Sequence, residues 1–131
     1  MKGIQIMTNA NSVAWGALRG RDLVAGFGFF IFLNTVLLAL IVLGADILGD
    51  EGSHDTKVVF SIITIALNFL LWIWNDSAIK DSAASSQDIS GADLETKIGQ
   101  EFVKAPWAIY RGLVLVIAIV VTGSLVYGVF W

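Results

Sequence analysis

The chain has 131 residues, of which 56% are hydrophobic and only 15% are charged, and its formal net charge is −3. An ordinary soluble domain is about 25% charged, so the composition argues against a soluble globular protein. The chain has no cysteine, which excludes disulfides, thiolate metal sites and iron–sulfur ligation. The small net charge and the lack of a basic stripe argue against a nucleic-acid partner.

Three long segments carry no charged side chain: residues 23–45, 58–75 and 112–131. A bilayer core about 30 Å thick needs about 20 helical residues, and all three segments are near that length. A soluble fold of this size cannot surround three uncharged helices with polar cover. The sequence therefore predicts an all-α membrane protein, a single domain over residues 1–131. Its transmembrane helices are expected at about 23–45, 58–75 and 108–131.

Residues 1–22 are expected to form a cytoplasmic or interfacial N-terminal segment. Ser12 is a possible cap for a short helix that contains Val13, Trp15 and Leu18 and lies at the membrane surface. A tail without regular structure is the alternative. The uncharged segment that follows exceeds the roughly 7–15 apolar residues of a secretory signal, so we expect it to be a retained span.

The distribution of basic residues predicts the orientation. Seven of the eight lysines and arginines lie before the first uncharged segment or between the second and third, and only Lys57 lies between the first and second. The positive-inside rule then makes the N-terminus and residues 76–107 cytoplasmic, and places residues 46–57 and the C-terminus outside. An inner or plasma membrane is the expected location. Aromatic residues would form an inner belt (Trp72, Trp74, Trp107, Tyr110) and an outer belt (Tyr127, Phe130, Trp131).

The outer loop, residues 46–57, is acidic. It contains the only candidates for a metal site: Asp46, Asp50, Glu51, His54 and Asp55. Carboxylates with one imidazole can bind a divalent cation, but this spacing matches neither an EF-hand nor a zinc motif. We therefore predict a solvated acidic loop without a metal.

The cytoplasmic loop, residues 76–107, divides into two parts. The stretch DSAASSQDISG, residues 81–91, is small and polar and is predicted to be flexible. Residues 92–104 are predicted to form an amphipathic helix, capped by Ser90 or Asp93 and followed by Pro106. Its apolar face, which we expect to lie on the membrane surface or on a partner subunit, consists of Leu94, Ile98 and Phe102.

Polar residues occur near the middle of each span. Asn34, Asn68 and Thr122 are expected at similar depth, and Ser61 and Thr64 fall on the same side of the second span as Asn68. An unsatisfied polar group in hydrocarbon costs several kcal/mol, so these residues are predicted to pack the spans together. The preferred hydrogen-bonded pair is Asn34 with Asn68. A polar conduit or ligand site is the alternative, but the uncharged segments contain none of the ionisable side chains that proton or ion paths use.

The sequence contains no nucleophile–base pair, phosphate loop or dinucleotide fingerprint, and no span carries a histidine that could ligate haem. We therefore expect no enzymatic activity, no cofactor and no small-molecule substrate. Two functions remain. One is a small accessory subunit of a larger membrane complex, of respiratory, photosynthetic or oxygenase type, whose partners are membrane lipids and larger membrane-protein subunits. The other is a self-associating, holin-like or pore-forming protein.

Overall fold

The computed structural model describes residues 9–49 and 52–131, and every regular element in these two ranges is a helix. The helices are α1 (Asn9–Leu43), α2 (Ala45–Leu48), α3 (His54–Gln87), α4 (Ala92–Glu95), α5 (Lys97–Lys104) and α6 (Trp107–Phe130). Three of them, α1, α3 and α6, are long and apolar enough to cross a membrane. The prediction of an all-α protein with three candidate spans is confirmed.

Helix α1 is much longer than the predicted span. It begins at Asn9 instead of near residue 23, and it ends at Leu43. Ser12 therefore lies inside this helix. The charged residues that precede the apolar segment are compatible with the helix, since arginine is a good helix former, and Arg19 pairs with Asp22 one turn later, with Nη1 and Oδ2 3.0 Å apart. The described part of residues 1–22 is therefore helical and continuous with the first candidate span.

Helix α3 continues through the first part of the loop that composition predicts to be flexible, and it ends at Gln87. Ser82 and Ser85 donate hydrogen bonds to the carbonyl oxygens of Ala78 and Asp81, four residues earlier. Both serines are buried. Residues 81–87 are thus helical and not part of a loop, because their small polar side chains allow close helix packing.

The predicted amphipathic helix over residues 92–104 is broken into α4 and α5. At the break Thr96 has an extended backbone, with φ −78° and ψ 145°, and its Oγ1 accepts a hydrogen bond from Gly99 N. Thr96, and not Ser90 or Asp93, is therefore the cap of α5. The turn at Pro106 then leads into α6, as expected.

The three long helices form a bundle with α3 in the centre. Helices α1 and α6 each pack along α3, whereas they make few contacts with each other. Both run antiparallel to α3: the rings of His54 and Phe130 lie 6.1 Å apart at one end, and Asp76 meets Arg111 towards the other. The end with His54 and Phe130 is called the His54 end. The end with Asp76 and Arg111 is called the basic end, because Arg19 also lies there.

The face of α3 that the other helices cover is mostly polar. Its buried polar residues are Ser61, Thr64, Asn68, Asn75, Ser82, Ser85 and Ser86. The outward faces of the three long helices are apolar by contrast. A soluble protein shows the opposite pattern, since its apolar residues collect inside. The arrangement suits an apolar solvent, in which buried polar groups hold helices together.

Candidate functional site: the polar interior of the helix bundle

A pair of asparagines joins α1 to α3 in the middle of the candidate spans. Asn34 Nδ2 donates a hydrogen bond to Asn68 Oδ1 over 2.9 Å. Each amide also donates to the carbonyl oxygen four residues earlier in its own helix, Asn34 to Phe30 at 2.7 Å and Asn68 to Thr64 at 3.0 Å. Asn68 is only 2% exposed. The structure thus contains the asparagine pair that the sequence predicts.

The other polar residues predicted in the spans are placed differently. Ser61 and Thr64 are buried on the same face of α3 as Asn68, but their hydroxyl oxygens have no hydrogen-bond partner within the described ranges. Thr122 is half-buried on α6 and does not take part in the hydrogen bond between Asn34 and Asn68. The polar interior is therefore centred on α1 and α3.

A second asparagine on α3 meets a glycine of α1. Asn75 is 2% exposed, and its Nδ2 donates to the carbonyl oxygen of Leu71. A Cβ atom on Gly26 would overlap Asn75 Oδ1 and would also lie within 2.9 Å of Trp74 Cδ1. The missing side chain of Gly26 thus lets α1 approach the amide closely, as small residues do between membrane helices. The sequence does not single out Gly26, because Gly28, two residues later, has the same apolar surroundings.

Ion pairs fasten all three long helices at the basic end. Arg111 Nε and Nη2 donate to the two carboxylate oxygens of Asp76 at 2.7 and 2.9 Å, which ties α6 to α3. Asp76 follows the uncharged segment 58–75, and the Arg111 guanidinium lowers the pKa of its carboxyl group. Arg19 Nε lies 3.0 Å from Asp81 Oδ2, which ties α1 to α3. In the sequence these charges indicate only the orientation of the chain, and not which residues they pair with.

Aromatic and backbone contacts add to these ties. Trp74 Nε1 donates a hydrogen bond to the carbonyl oxygen of Asp22 over 3.1 Å. The Trp107 ring meets the Phe102 ring edge-on with centroids 5.1 Å apart, so α5 is anchored on the start of α6.

The predicted interface residues of the amphipathic helix do not share one covered face. The break at Thr96 separates Leu94 from the other two, and Ile98 is 84% exposed, whereas Phe102 is half-buried. A groove of about 380 Å³ runs between α5, the serine-rich end of α3 and the beginning of α1. Its lining includes Gly16, Ser85, Ile89, Ile98 and Phe102.

A smaller cavity of about 220 Å³ lies where all three long helices meet. Helix α3 supplies Trp72 and Asn75 to its wall. The rest of the lining is apolar and comes from α1 and α6: Phe27, Phe30, Ile31, Val114, Ile117 and Ala118. Among the cavities described here, this is the one lined by all three candidate spans.

The acidic segment was the only predicted candidate for a metal site. Asp50 and Glu51 lie outside the described residues, and Asp46, His54 and Asp55 lie within them. Over the ranges that the structure describes, no three His, Cys, Asp or Glu side chains are grouped closely enough to hold a metal ion. The His54 ring instead lies against the Phe130 ring, where α3 begins and α6 ends.

Comparisons with protein-family models, with curated proteins and with solved structures found no match to this chain.

Proposed function

We propose that the chain is a multi-pass membrane protein that serves as a small, non-catalytic accessory subunit of a larger integral-membrane complex. In this proposal the basic end faces the cytoplasm, because it collects the arginines and lysines that the positive-inside rule retains there. The His54 end and the C-terminus face outward.

The outward face of α1 supports a protein partner in addition to lipid. Gly28, Thr35 and Ala39 follow one another at intervals of seven and four residues, which places them on one side of the helix, and all three are exposed. A Cβ built on Gly28 would meet no atom of another described helix within 4 Å. A glycine inside a helix costs about 1 kcal/mol relative to alanine. Small residues in a membrane helix allow a second helix to approach closely. This small-residue face is the observation that carries the proposal.

The buried polar residues of α3, here called the polar stripe, weigh against the pore alternative. A pore needs polar side chains on a surface that lines a water-filled lumen. Ser61, Thr64 and Asn68 are instead buried between α3 and its neighbours in the same chain. The stripe is thus used for packing within one copy of the chain.

Purification from native membranes tests the proposal. The tagged chain would be extracted in a mild detergent, and co-eluting proteins would be identified and quantified by mass spectrometry. We expect larger membrane subunits in stoichiometric amounts. An oligomer that contains only this chain would contradict the accessory role and support the pore alternative.

A matched pair of variants tests the small-residue face of α1. Ala39→Leu adds a large side chain to the small-residue face of α1, whereas Ala66→Leu makes the same change at an exposed position of α3. Partners should be lost with Ala39→Leu and kept with Ala66→Leu. Equal retention in both variants would show that α1 does not use this face.

A further inference from the structure

The small-residue face of α1 continues towards the basic end. From Gly28 it runs through Ala25, Arg21 and Leu18, at intervals of three, four and three residues, and all four residues are exposed. Phe32, four residues after Gly28, belongs to the same line and is 68% exposed. Alternating intervals of three and four residues keep side chains on one side of a helix, and two helices pack side by side with this spacing. We call this line of residues the seam of α1.

The seam extends past the lipid of the proposed membrane. The pair of Asn34 and Asn68 lies at the centre of the uncharged segments and therefore marks the middle of the bilayer. At about 1.5 Å per residue, Leu18 lies about 24 Å from this level and Trp15 about 29 Å. The hydrocarbon ends about 15 Å from the middle, and the headgroups end at about 20–22 Å. Leu18 and Trp15 are nonetheless 51% and 49% exposed, so an apolar patch stands where lipid does not cover it.

Arg21 is the one cation on this part of the seam, at the depth of the headgroups. Its side chain is exposed, and it forms no ion pair with another described residue. The other two arginines of the chain are paired, Arg19 with Asp81 and Arg111 with Asp76. A guanidinium matches a carboxylate through two parallel hydrogen bonds. The seam therefore complements a surface that presents one carboxylate beside apolar side chains.

A second copy of this chain does not complement the seam. Copies inserted with the same orientation would bring their α1 helices together in parallel, and a two-fold axis along the membrane normal would place each seam residue opposite itself. Arg21 would then face the same arginine of the second copy, and like charges repel. A lipid headgroup could meet the charge of Arg21 but would not reach the apolar patch beyond it. A helix of a different chain satisfies both requirements.

We propose that the seam of α1 docks a transmembrane helix of a partner subunit, which carries an aspartate or glutamate opposite Arg21 and continues beyond the headgroups with an apolar side chain against Leu18. The spacing of the seam implies that the two helices cross at about 20°. This docking depends on the proposed accessory role, and it adds the chemistry that the partner presents to α1.

Zero-length crosslinking tests for the carboxylate. A carbodiimide joins an amine to a carboxylate only where the two groups touch, and Arg21→Lys supplies the amine. Membranes with the tagged full-length variant would be treated, and linked peptides would be sequenced by mass spectrometry after purification. We expect an amide bond from position 21 to an Asp or Glu beside a transmembrane segment of the co-purifying subunit. Lys80 is the internal control, since it is exposed on α3 at nearly the same depth, and it should not be joined to that carboxylate.

Charge reversal measures the contribution of the ion pair. Arg21→Glu replaces attraction with repulsion and should lower the amount of retained partner by about two- to fivefold, the range of an exposed ion pair. Lys80→Glu makes the same change of sign at nearly the same depth and should leave retention unaltered. Both variants are first checked for unchanged orientation in the membrane.

The results distinguish the docking from the accessory role. If larger subunits co-purify but none is joined to position 21, or if Arg21→Glu retains them as well as Lys80→Glu does, the docking is refuted and the accessory role stands. A bond from position 21 to a second copy of the chain would also overturn the docking. If only phospholipid and no subunit stays bound, both proposals fail.

Discussion

Asn34 and Asn68 lie opposite each other on two antiparallel helices, and their side-chain amides are joined by a 2.9 Å hydrogen bond. The pair links α1 to α3 at the centre of the two uncharged segments. Helix ends can be held by ion pairs in water, but the middle of a membrane helix has no such partners. A buried amide pair is therefore an effective way to set the depth of one helix against the other.

Breaking this pair should destabilise the bundle in a non-additive way. Asn34→Leu removes the donor to Asn68 Oδ1 and leaves a buried acceptor without a partner, a cost of about 1–3 kcal/mol. The double variant with Asn68→Leu removes both groups and should cost less than the sum of the single variants. Unfolding free energies in mixed micelles would measure all three. Thr35→Val is the control, because Thr35 is exposed and bonds only to the backbone of its own helix. Strict additivity would contradict the coupling.

The two neighbouring glycines of α1 should respond in opposite directions to the same change. A methyl group on Gly26 would overlap Asn75 Oδ1, so Gly26→Ala should destabilise the packing of α1 on α3 by about 1–3 kcal/mol. A methyl group on Gly28 would meet no atom of another described helix, so Gly28→Ala should be neutral or stabilise by up to about 1 kcal/mol. Unfolding in mixed micelles measures both. A similar effect of the two substitutions would contradict the close approach at Gly26.

Orientation can be tested with single cysteines. Ser53 precedes α3 at the His54 end, and Ala84 is exposed at the basic end, whereas its neighbour Ser85 is buried. Ser53→Cys should react with an impermeant reagent from outside the cell, and Ala84→Cys only after the membrane is opened. Ala66→Cys, in the middle of α3, is the unreactive control. If Ser53→Cys and Ala84→Cys were both labelled from the same side, the three-span arrangement would be refuted.

The exposed side chain of Ile98 on α5 should affect the protease sensitivity of this helix only in the presence of a membrane or partner. Ile98 is 84% exposed, so Ile98→Ser removes little packing within the chain. In vesicles that present the basic end, the variant should be cut faster by trypsin after Lys97 or Lys104, because α5 would be held less firmly on the surface. Gln100→Ser, at another exposed position of α5, should be cut at the unaltered rate. Equal rates in vesicles would leave Ile98 without the predicted contact.

The sequence by itself determined the helical class and the three candidate spans. In a lipid bilayer, an uncharged segment of about 20 residues has few stable structures other than a helix, since each backbone polar group must be paired inside the segment. The same logic predicted the asparagine pair, because amides at equal depth in neighbouring helices have few other partners.

Helix ends were decided by tertiary packing. The serine-rich segment 81–87 is polar enough for a loop, but it continues α3, where Ser82 is buried and Arg19 of α1 reaches Asp81. Thr96 divides the predicted amphipathic helix, and the local pattern of apolar residues carries no sign of that break.

The roles of particular side chains also needed the three-dimensional structure. Sequence cannot distinguish Gly26 from Gly28, because only the position of Asn75 on another helix makes one of them necessary. The cavity beside Trp72 exists because α1 and α6 both pack on α3 and make few contacts with each other. Hydrophobicity and periodicity are local properties that sequence records directly, whereas the distance between residues 50 positions apart depends on how the helices pack.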